Sequence, residues 1–366
     1  MYSFLKVRSI FLTLFFLSIT AAAPLTLNDF SLVFGRDPTD GCASGLPPAF
    51  AVKRAEAAVR YKNEMALLVS EIHAYAKKAN PSFAIIGNNS SGLFAVSDGY
   101  DRQEVAALSE NMEAILLESF FFGWKMTNNA ETPESERNEI RNQLAYAREV
   151  KKPILNIDYC NTAKKIILSE TLNKKEKFIS FAAVSNTLNR IPLYPVQLSG
   201  ESDRDVDELE EIKNFLILLE PGVFRSRHDY LNALRETNFD LIIIDLFFGS
   251  EFLSRQEVDS LKTKKNGGRR LVFSYMSIGE AEEYRYYWQK SWSARPPSWI
   301  EKENPHWKGN FVVKYWEKEW KDILFGKPDA YLDLIIAQGF DGAFLDIVDG
   351  WVYFTEMEKQ NKEGIK

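Results

Sequence analysis

The sequence predicts an α/β protein in which eight parallel strands close into one barrel. Short apolar runs alternate with amphipathic helical stretches along most of the 366 residues, and this alternation is typical of parallel βαβ units. Several runs are apolar throughout, as strands that are buried on both faces are. Acidic residues directly follow several runs, and acids at the C-terminal ends of barrel strands are typically catalytic.

The composition is that of an ordinary globular chain. It contains 45% hydrophobic and 26% charged residues, which provides enough apolar material for a large core. The alternation extends over roughly 250–300 residues, a length that favours one barrel over two domains. The formal net charge is −6, whereas a protein that binds nucleic acid needs a basic face. We therefore expect no nucleic-acid partner.

The N-terminus has the features of a secretory signal peptide. Lys6 and Arg8 precede an apolar run over residues 10–19, and small residues follow at 20–23. The run is about half the ~20 apolar residues that a membrane-spanning helix needs. We predict a signal peptide over residues 1–23 and a secreted or periplasmic protein without stable membrane insertion. A retained anchor is the alternative.

One barrel domain is predicted to follow an extended lead-in, residues 24–50, which is rich in Gly, Pro and Asp. An acidic stretch of eleven residues that begins at Glu201 contains seven acids and one arginine, a composition typical of a solvated linker. The predicted parts of the domain, residues 51–366, are one barrel half in residues 51–195, an acidic linker in residues 196–213 and the other half in residues 214–366.

The elements before the linker follow from hydrophobic periodicity. The predicted strands are residues 83–86, 114–117, 153–157 and 178–184. The predicted helices are residues 55–79, 134–150 and 163–172.

After the linker the same alternation resumes. A long segment rich in Trp, Tyr, Pro and Glu, residues 276–310, is predicted to be a loop. The predicted strands are residues 215–219, 240–244, 270–275 and 343–345, with a further short strand at 311–315. The predicted helices are residues 228–237, 257–262 and 318–338. About four barrel strands thus lie on each side of the linker.

Specific motifs accompany the strands of the C-terminal half. They are Ser-Ile-Gly-Glu-Ala-Glu at 277–282, Asn-Pro-His-Trp at 304–307, Gly-Phe-Asp-Gly at 339–342 and Leu-Asp-Ile-Val-Asp at 345–349. This set resembles glycoside hydrolase family 114, which contains endo-α-1,4-polygalactosaminidase-like proteins on a (β/α)8 TIM barrel. The resemblance implies a hydrolase of an α-linked amino-sugar polysaccharide, and the N-terminal pattern predicts that this hydrolase is secreted or periplasmic.

The N-terminal half resembles later segments of the same family, at residues 80–86 with Asn89, 117–120 and 157–160. The resemblance implies a circularly permuted barrel in which strands five to eight precede strands one to four. Physically this is possible, because strand eight lies beside strand one in a closed barrel and an exposed linker can join the ancestral ends. A truncated tandem of two incomplete barrels is the alternative.

Glycoside hydrolysis generally requires two carboxyl groups that flank the scissile bond. Asp346 and Glu118 each end a predicted strand, so both would emerge at the same rim of a barrel. The resemblance implies that Asp346 is the catalytic nucleophile and Glu118 the acid/base. The alternatives are a loop-fixing acid for Asp346 and a salt bridge on the rim for Glu118.

Further polar and aromatic residues near the strand ends are candidates for binding substrate. Asp245 and Asp158 end apolar strands and could contact substrate or support the site. Glu280 and Glu282 could bind the amine of a cationic sugar or pair with Arg285. The full predicted set is Asp245, Tyr275, Glu280, Glu282, Asn89, Asp158, Asp349 and Trp316. Trp316 belongs to a group of loop aromatics that could stack on sugar rings or pack the loop.

Other chemistries find little support in the sequence. There is no phosphate-binding Gly-rich loop and no Gly-x-Ser-x-Gly motif, so we predict no cofactor. The histidines, His73, His228 and His306, have no metal-ligand spacing, so we predict no metal. Cys42 and Cys160 could form a disulfide in an oxidising compartment or remain separate thiols.

The predicted partner is a polysaccharide substrate, and the oligomeric state is open. A non-catalytic glycan-binding or cell-surface protein that retains the cleft is the alternative function. In a permuted barrel, the chain is split in the connection directly after Asp346. A displaced loop there would move the acid, and a misplacement of about 1 Å can cost ~100-fold in rate.

Overall fold

A computed structural model describes residues 48–96, 101–193 and 198–363. The predicted signal peptide, most of the predicted lead-in and Cys42 lie outside these ranges. Within the ranges, every helix is too short or too polar to cross a membrane.

The elements alternate as the sequence predicts. The strands are β1 (Ala84–Asn88), β2 (Ala114–Glu118), β3 (Ile154–Tyr159), β4 (Ile179–Ala183), β5 (Phe215–Leu218), β6 (Leu241–Ile244), β7 (Phe247–Phe248), β8 (Glu251–Phe252), β9 (Leu271–Ser277), β10 (Glu280–Glu282), β11 (Ile300–Glu303), β12 (Asn310–Val313) and β13 (Gly342–Asp346). The α-helices are α1 (Pro48–Ala79), α2 (Arg102–Ser109), α3 (Glu134–Gln143), α4 (Ala145–Glu149), α5 (Ala163–Glu176), α6 (Arg227–Arg235), α7 (Arg255–Leu261), α8 (Lys318–Leu324), α9 (Tyr331–Ala337) and α10 (Trp351–Glu363).

Eight parallel strands form one barrel-like sheet in the order β4-β3-β2-β1-β13-β9-β6-β5. The first strand therefore pairs with the last, β1 with β13. At the remaining edge β4 and β5 lie side by side without a hydrogen-bonded ladder, and the rings of Phe181 and Phe215 pack there with centroids 5.7 Å apart. The sheet is thus nearly closed, which confirms an α/β barrel of parallel strands.

The barrel strands are buried on both faces. All four residues of β5 and all four of β6 are buried. Their side chains pack alternately into the barrel interior and against the surrounding helices, as continuous apolar runs require. The C-terminal ends of all eight strands consequently meet at one rim, where polar side chains can face a common space.

Several predicted boundaries were wrong. Strand β1 continues two residues beyond the predicted end at residue 86 and ends at Asn88. The predicted helix over residues 134–150 is two helices, α3 and α4, and the one over residues 318–338 is also two, α8 and α9. The prediction also missed helix α2 and the hairpin of β7 and β8.

The predicted loop over residues 276–310 was also wrong in part. Strands β10 and β11 lie within it and pair with β12 in a three-stranded antiparallel sheet. The predicted short strand at residues 311–315 is part of β12 and belongs to this small sheet rather than to the barrel. Because β10 directly follows β9, the small sheet holds Glu280 and Glu282 at the mouth of the barrel.

The acidic linker is attached to the barrel more firmly than the prediction of a solvated segment implies. Most of its acids are exposed, but Val206 and Leu209 are buried. The ammonium group of Lys264 donates to the carbonyl oxygens of Ser202 and Arg204, each over 2.8 Å. The linker therefore covers the N-terminal end of the barrel with a fixed conformation.

Helices α1 and α10 pack side by side in opposite directions. The rings of Tyr61 and Phe354 are 5.5 Å apart, and Arg60 pairs with Glu358 over 2.8 Å. The C-terminal end of α10 therefore lies beside the early part of α1, as the predicted permutation requires. The cyclic order of the strands is the same with or without a permutation, so the permutation stays a prediction.

Candidate active site

A cavity of about 210 Å³ lies at the mouth of the barrel. Eight of the ten predicted site residues line it: Asn89, Glu118, Asp245, Tyr275, Glu280, Glu282, Asp346 and Asp349. These residues lie near the C-terminal ends of five barrel strands or in the segments that follow them. The topology thus brings together acids that are up to 231 residues apart in the chain, Glu118 and Asp349.

One asparagine side chain bridges the two predicted catalytic carboxylates. The Nδ2 atom of Asn88 donates to Oε1 of Glu118 over 2.7 Å and to Oδ1 of Asp346 over 2.8 Å. Because both oxygens contact one nitrogen atom, they lie at most about 5.5 Å apart. Neither carboxylate forms a salt bridge with another residue that the structure describes.

The strand register explains why these three side chains meet. Gly87 of β1 pairs with Leu345 of β13, so Asn88 and Asp346 lie beside each other at the ends of adjacent strands. On the other side of β1, strand β2 extends two residues beyond the residue that pairs with Asn88, and it ends in Glu118. All three residues thus belong to regular strands, which fix side-chain positions better than loops do.

Asp346 accepts hydrogen bonds on both carboxylate oxygens. Besides Asn88, the backbone N–H of Ile347 donates to Oδ1 over 2.9 Å, and the hydroxyl of Tyr275 donates to Oδ2 over 3.0 Å. Burial raises the pKa of Asp346, the charge of Glu118 raises it further, and these donors oppose the rise. The carboxylate is therefore both desolvated and held in a fixed orientation.

Glu118 has a second fixed partner of its own. The hydroxyl of the buried Tyr159 donates to Oε2 of Glu118 over 2.5 Å. The backbone N–H of Glu118 donates to Oδ1 of Asn89 over 3.2 Å. Asn89 has a positive φ of 46°, a conformation that asparagine tolerates better than most residues. Asn89 thus supports the end of β2, in addition to lining the cavity.

A buried ionic network lies beside Asp346. Arg285 donates from Nε to Glu282 over 2.6 Å and from Nη1 to Asp245 over 2.8 Å. The single hydroxyl hydrogen of Tyr275 lies within reach of both Asp346 and Glu282. Pairing with Arg285, one of the two alternatives considered for Glu280 and Glu282, is therefore present for Glu282, and the network connects the second and fourth strands of the C-terminal half.

Two further carboxyl groups in the cavity hold protons more tightly than usual. Burial raises the pKa of Glu280 to about 7, although Asn304 donates to it over 2.8 Å. Burial and the charge of Asp346 raise the pKa of Asp349 to about 8. Near neutral pH both groups can therefore act as hydrogen-bond donors as well as acceptors.

The raised pKa of Glu280 predicts a pH-dependent stability effect. Between about pH 4.5 and pH 7 the folded state holds a proton that the unfolded state releases, so the free energy of unfolding falls as pH rises. We expect Glu280→Gln to unfold like the wild type near pH 4 and to be more stable at pH 8, by up to ~3 kcal/mol. Urea titrations at both pH values measure this difference, with the exposed Glu283→Gln as control. A stability difference that is the same at both pH values would contradict the prediction.

Asp158 and Trp316 do not line the cavity. Asp158 is fully buried and accepts from the backbone N–H groups of Phe121 and Phe122 and from the side chains of Ser169 and Asn173. It therefore fixes the loop after β2 against α5, which is the supporting role considered for it.

Trp316 packs on helices instead of facing the rim. Its ring lies 4.7 Å from Phe354 of α10 and 5.3 Å from Tyr61 of α1. The neighbouring loop aromatics also pack against one another. The ring centroid of Trp292 lies 5.2 Å from that of Trp288 and 5.1 Å from that of Trp299. Of this loop, Trp307 lines the cavity.

Asn88 and Tyr159 were not among the predicted site residues. Asn88 was placed beyond the end of its strand because the predicted strand ended at residue 86. An aromatic or amide residue at a strand end is a weak signal compared with an acid. Among the residues that the structure describes, no three His, Cys, Asp or Glu side chains are arranged so that they could hold a metal ion.

The fold and the site define a parallel α/β barrel protein with paired carboxylates at its C-terminal rim. Residues 214–366 match the model of glycoside-hydrolase family GH114, which confirms the resemblance for the C-terminal half. The chain is 45% identical over 160 residues to an uncharacterized protein of Methanocaldococcus jannaschii, covering 43% of this chain and 44% of that protein.

Two further relatives are similar over shorter segments. An uncharacterized protein of Thermotoga maritima is 37% identical over 123 residues, which cover 34% of this chain and 36% of the relative. One of Deinococcus radiodurans is 38% identical over 121 residues, which cover 33% and 37%. The matched part thus spans less than half of each relative's length. Residues 214–366 are therefore the part of the chain that is similar to a glycoside-hydrolase family.

Proposed function

We propose that the protein is a secreted glycoside hydrolase that cleaves an α-linked amino-sugar polysaccharide through Asp346 and Glu118. The observation that carries this proposal is the pair of carboxylates at the cavity, both bound to one Asn88 nitrogen. Their separation of at most about 5.5 Å suits direct attack by one carboxylate, since retaining glycosidases place the groups ~5–5.5 Å apart and inverting ones ~6.5–9.5 Å.

In the proposed mechanism Asp346 attacks the anomeric carbon and Glu118 protonates the leaving glycosidic oxygen. The C–O bond to the leaving sugar breaks as the ester bond to Asp346 forms. Glu118 then removes a proton from water, which attacks the anomeric carbon and releases Asp346 with net retention. The three hydrogen bonds to Asp346 favour its ionised form, as a nucleophile requires.

The charges around the cavity support a cationic substrate. Its lining includes Asp245, Glu282 and Arg285, which together leave one negative charge, and the nucleophile Asp346, while Glu280 and Asp349 hold protons near neutral pH and serve there as hydrogen-bond partners. An excess of negative charge attracts a protonated amino sugar and disfavours an acidic polysaccharide. This supports a polygalactosamine-like polymer with free amino groups. Secretion is supported by the N-terminal sequence pattern alone.

The direct test is release of reducing ends from α-1,4-linked galactosaminogalactan by the purified protein. We expect hydrolysis of the polymer that contains free amines, slower hydrolysis of the same polymer after full N-acetylation, and α-anomeric first products by NMR. A folded protein that releases no reducing ends would contradict a hydrolase acting on this polymer. If that protein bound the polymer in an isothermal titration, the glycan-binding alternative would replace the proposal.

A further inference from the structure

We infer that Asn88 is a positioning residue that sets the spacing of Glu118 and Asp346 by donating one amide hydrogen to each. This inference rests on the proposed function, in which the spacing of the two carboxylates determines how the glycosidic bond is attacked. Asn88 was not among the predicted site residues, and its role follows from the geometry alone.

The position of Asn88 suits this role. The residue is 4% exposed, and it ends a strand that is hydrogen-bonded to β13 on one side and to β2 on the other. The two carboxylates belong to those neighbouring strands. A short side chain on the middle strand is therefore held between them by the backbone ladder, without depending on any loop.

Among the described residues, Asn88 alone contacts both carboxylates with its side chain. Tyr159 donates only to Glu118, and Tyr275 donates to Asp346 but not to Glu118. If either tyrosine were removed, the two hydrogen bonds from Asn88 would still fix the distance between Glu118 and Asp346. Removal of the Asn88 amide would leave the carboxyl groups of Glu118 and Asp346 facing each other with no shared donor.

The orientation of the amide group follows from charge. A rotation of 180° would place Oδ1 of Asn88 against the two carboxylate oxygens, where like partial charges repel. In the observed orientation Oδ1 is buried and has no hydrogen-bond partner among the described residues. An unpaired buried acceptor costs ~1–3 kcal/mol. Because Asn88 is present despite this cost in stability, its presence is better explained by a role in the site than by a contribution to folding.

The hydrogen bond from the Asn88 amide also affects the protonation of Asp346. This hydrogen bond lowers the pKa of Asp346, against the effects of burial and of the Glu118 charge. Loss of the donor would therefore favour a proton on Asp346 and would shift the acidic limb of the pH–rate profile to higher pH. A residue with a purely structural role would lower the amount of folded protein but would not move this limb.

The test uses Asn88→Ala and Asn88→Asp in the full-length protein. Aspartate keeps the shape of the side chain but supplies no amide donor, so it remains informative if the alanine variant folds poorly. We expect kcat on galactosaminogalactan to fall about 100-fold in both variants, with little change in KM and with the acidic limb of the pH–rate profile moved to higher pH.

In parallel, NMR of protein labelled with ¹³C at the Asp and Glu carboxyl carbons follows the titration of Asp346 without substrate. Asn186→Ala, at an asparagine that lines the same cavity without a hydrogen bond to either acid, is the control for the titration.

The two measurements separate the inference from the proposed function. If the wild type hydrolyses the polymer while both Asn88 variants keep its kcat and pH profile, the positioning role is overturned and the hydrolase stands. If the wild type is inactive but Asp346 titrates at higher pH in Asn88→Ala, the hydrolase proposal fails and the coupling of Asn88 to Asp346 is supported. An unchanged titration of Asp346 in both variants overturns the inference whatever the activity.

Discussion

Replacement of Asp346 by asparagine is expected to lower kcat on galactosaminogalactan by on the order of 10⁴–10⁶-fold, as is typical when a member of the central catalytic unit is removed. The amide cannot form the covalent ester with the sugar, and the remaining binding contacts do not supply a nucleophile. The protein itself should fold normally. Because burial raises the pKa of Asp346, a neutral side chain of the same shape is expected to leave the free energy of unfolding at pH 7 unchanged or higher. Reducing-end assays, circular dichroism and urea titration measure these quantities.

Glu118→Gln is the matched variant that separates the two roles. On the polymer it should also be strongly impaired, since the leaving oxygen then receives no proton. On an aryl glycoside with a good leaving group, bond cleavage does not need that proton, so Glu118→Gln should retain much more of the wild-type rate than Asp346→Asn. Equal losses on both substrates would contradict the assignment of Glu118 as acid/base. Full activity of Asp346→Asn would place the nucleophile elsewhere.

Replacement of Lys264 by methionine is expected to lower the free energy of unfolding by about 3–5 kcal/mol. Lys264 and Asp240 are both buried and pair over 3.1 Å, while the other two ammonium hydrogens are donated to linker carbonyl oxygens. Methionine fills a similar volume but leaves the Asp240 carboxylate with the more distant Arg204, at 3.5 Å, and a backbone donor. An uncompensated buried charge is the main source of the expected loss.

The adjacent Lys265 offers a matched control. It also pairs with an acid, Glu236, over 2.9 Å, but both side chains are more than half exposed. Lys265→Met should therefore change the free energy of unfolding by less than about 1 kcal/mol. Urea unfolding of the two variants under the same conditions gives the comparison. Similar small losses for both would show that the linker is attached to the barrel by its apolar residues, Val206 and Leu209, rather than by Lys264.

Much of the fold could be predicted from sequence because the barrel depends on local patterns. Strands buried on both faces require continuous apolar runs, and β5 and β6 show them clearly. The acids at strand ends stood out for the same reason, since Asp346 and Glu118 each interrupt such a run. Motif resemblance then assigned them roles that composition and periodicity do not provide.

The elements that were predicted wrongly depend on contacts between distant segments. The small sheet joins β12, which the predicted strand at residues 311–315 overlaps, to β10 and β11, two short polar strands that have no strong periodicity of their own. The linker was predicted to be solvated because its acids dominate its composition, whereas its attachment depends on Lys264 more than fifty residues further along the chain. A sequence window does not contain the partner that decides the outcome.

By itself, the sequence of this protein determined which segments become barrel strands and which acids end them, because burial on both faces restricts residue type at each position. Only the tertiary structure decided which of those acids share a cavity. Asp346 and Glu118 meet through Asn88, whereas Asp158 turns into a buried hydrogen-bond network and Trp316 packs on helices. The physical reason is that a hydrogen bond acts over about 3 Å, and such distances between residues far apart in the chain are set by strand register and packing.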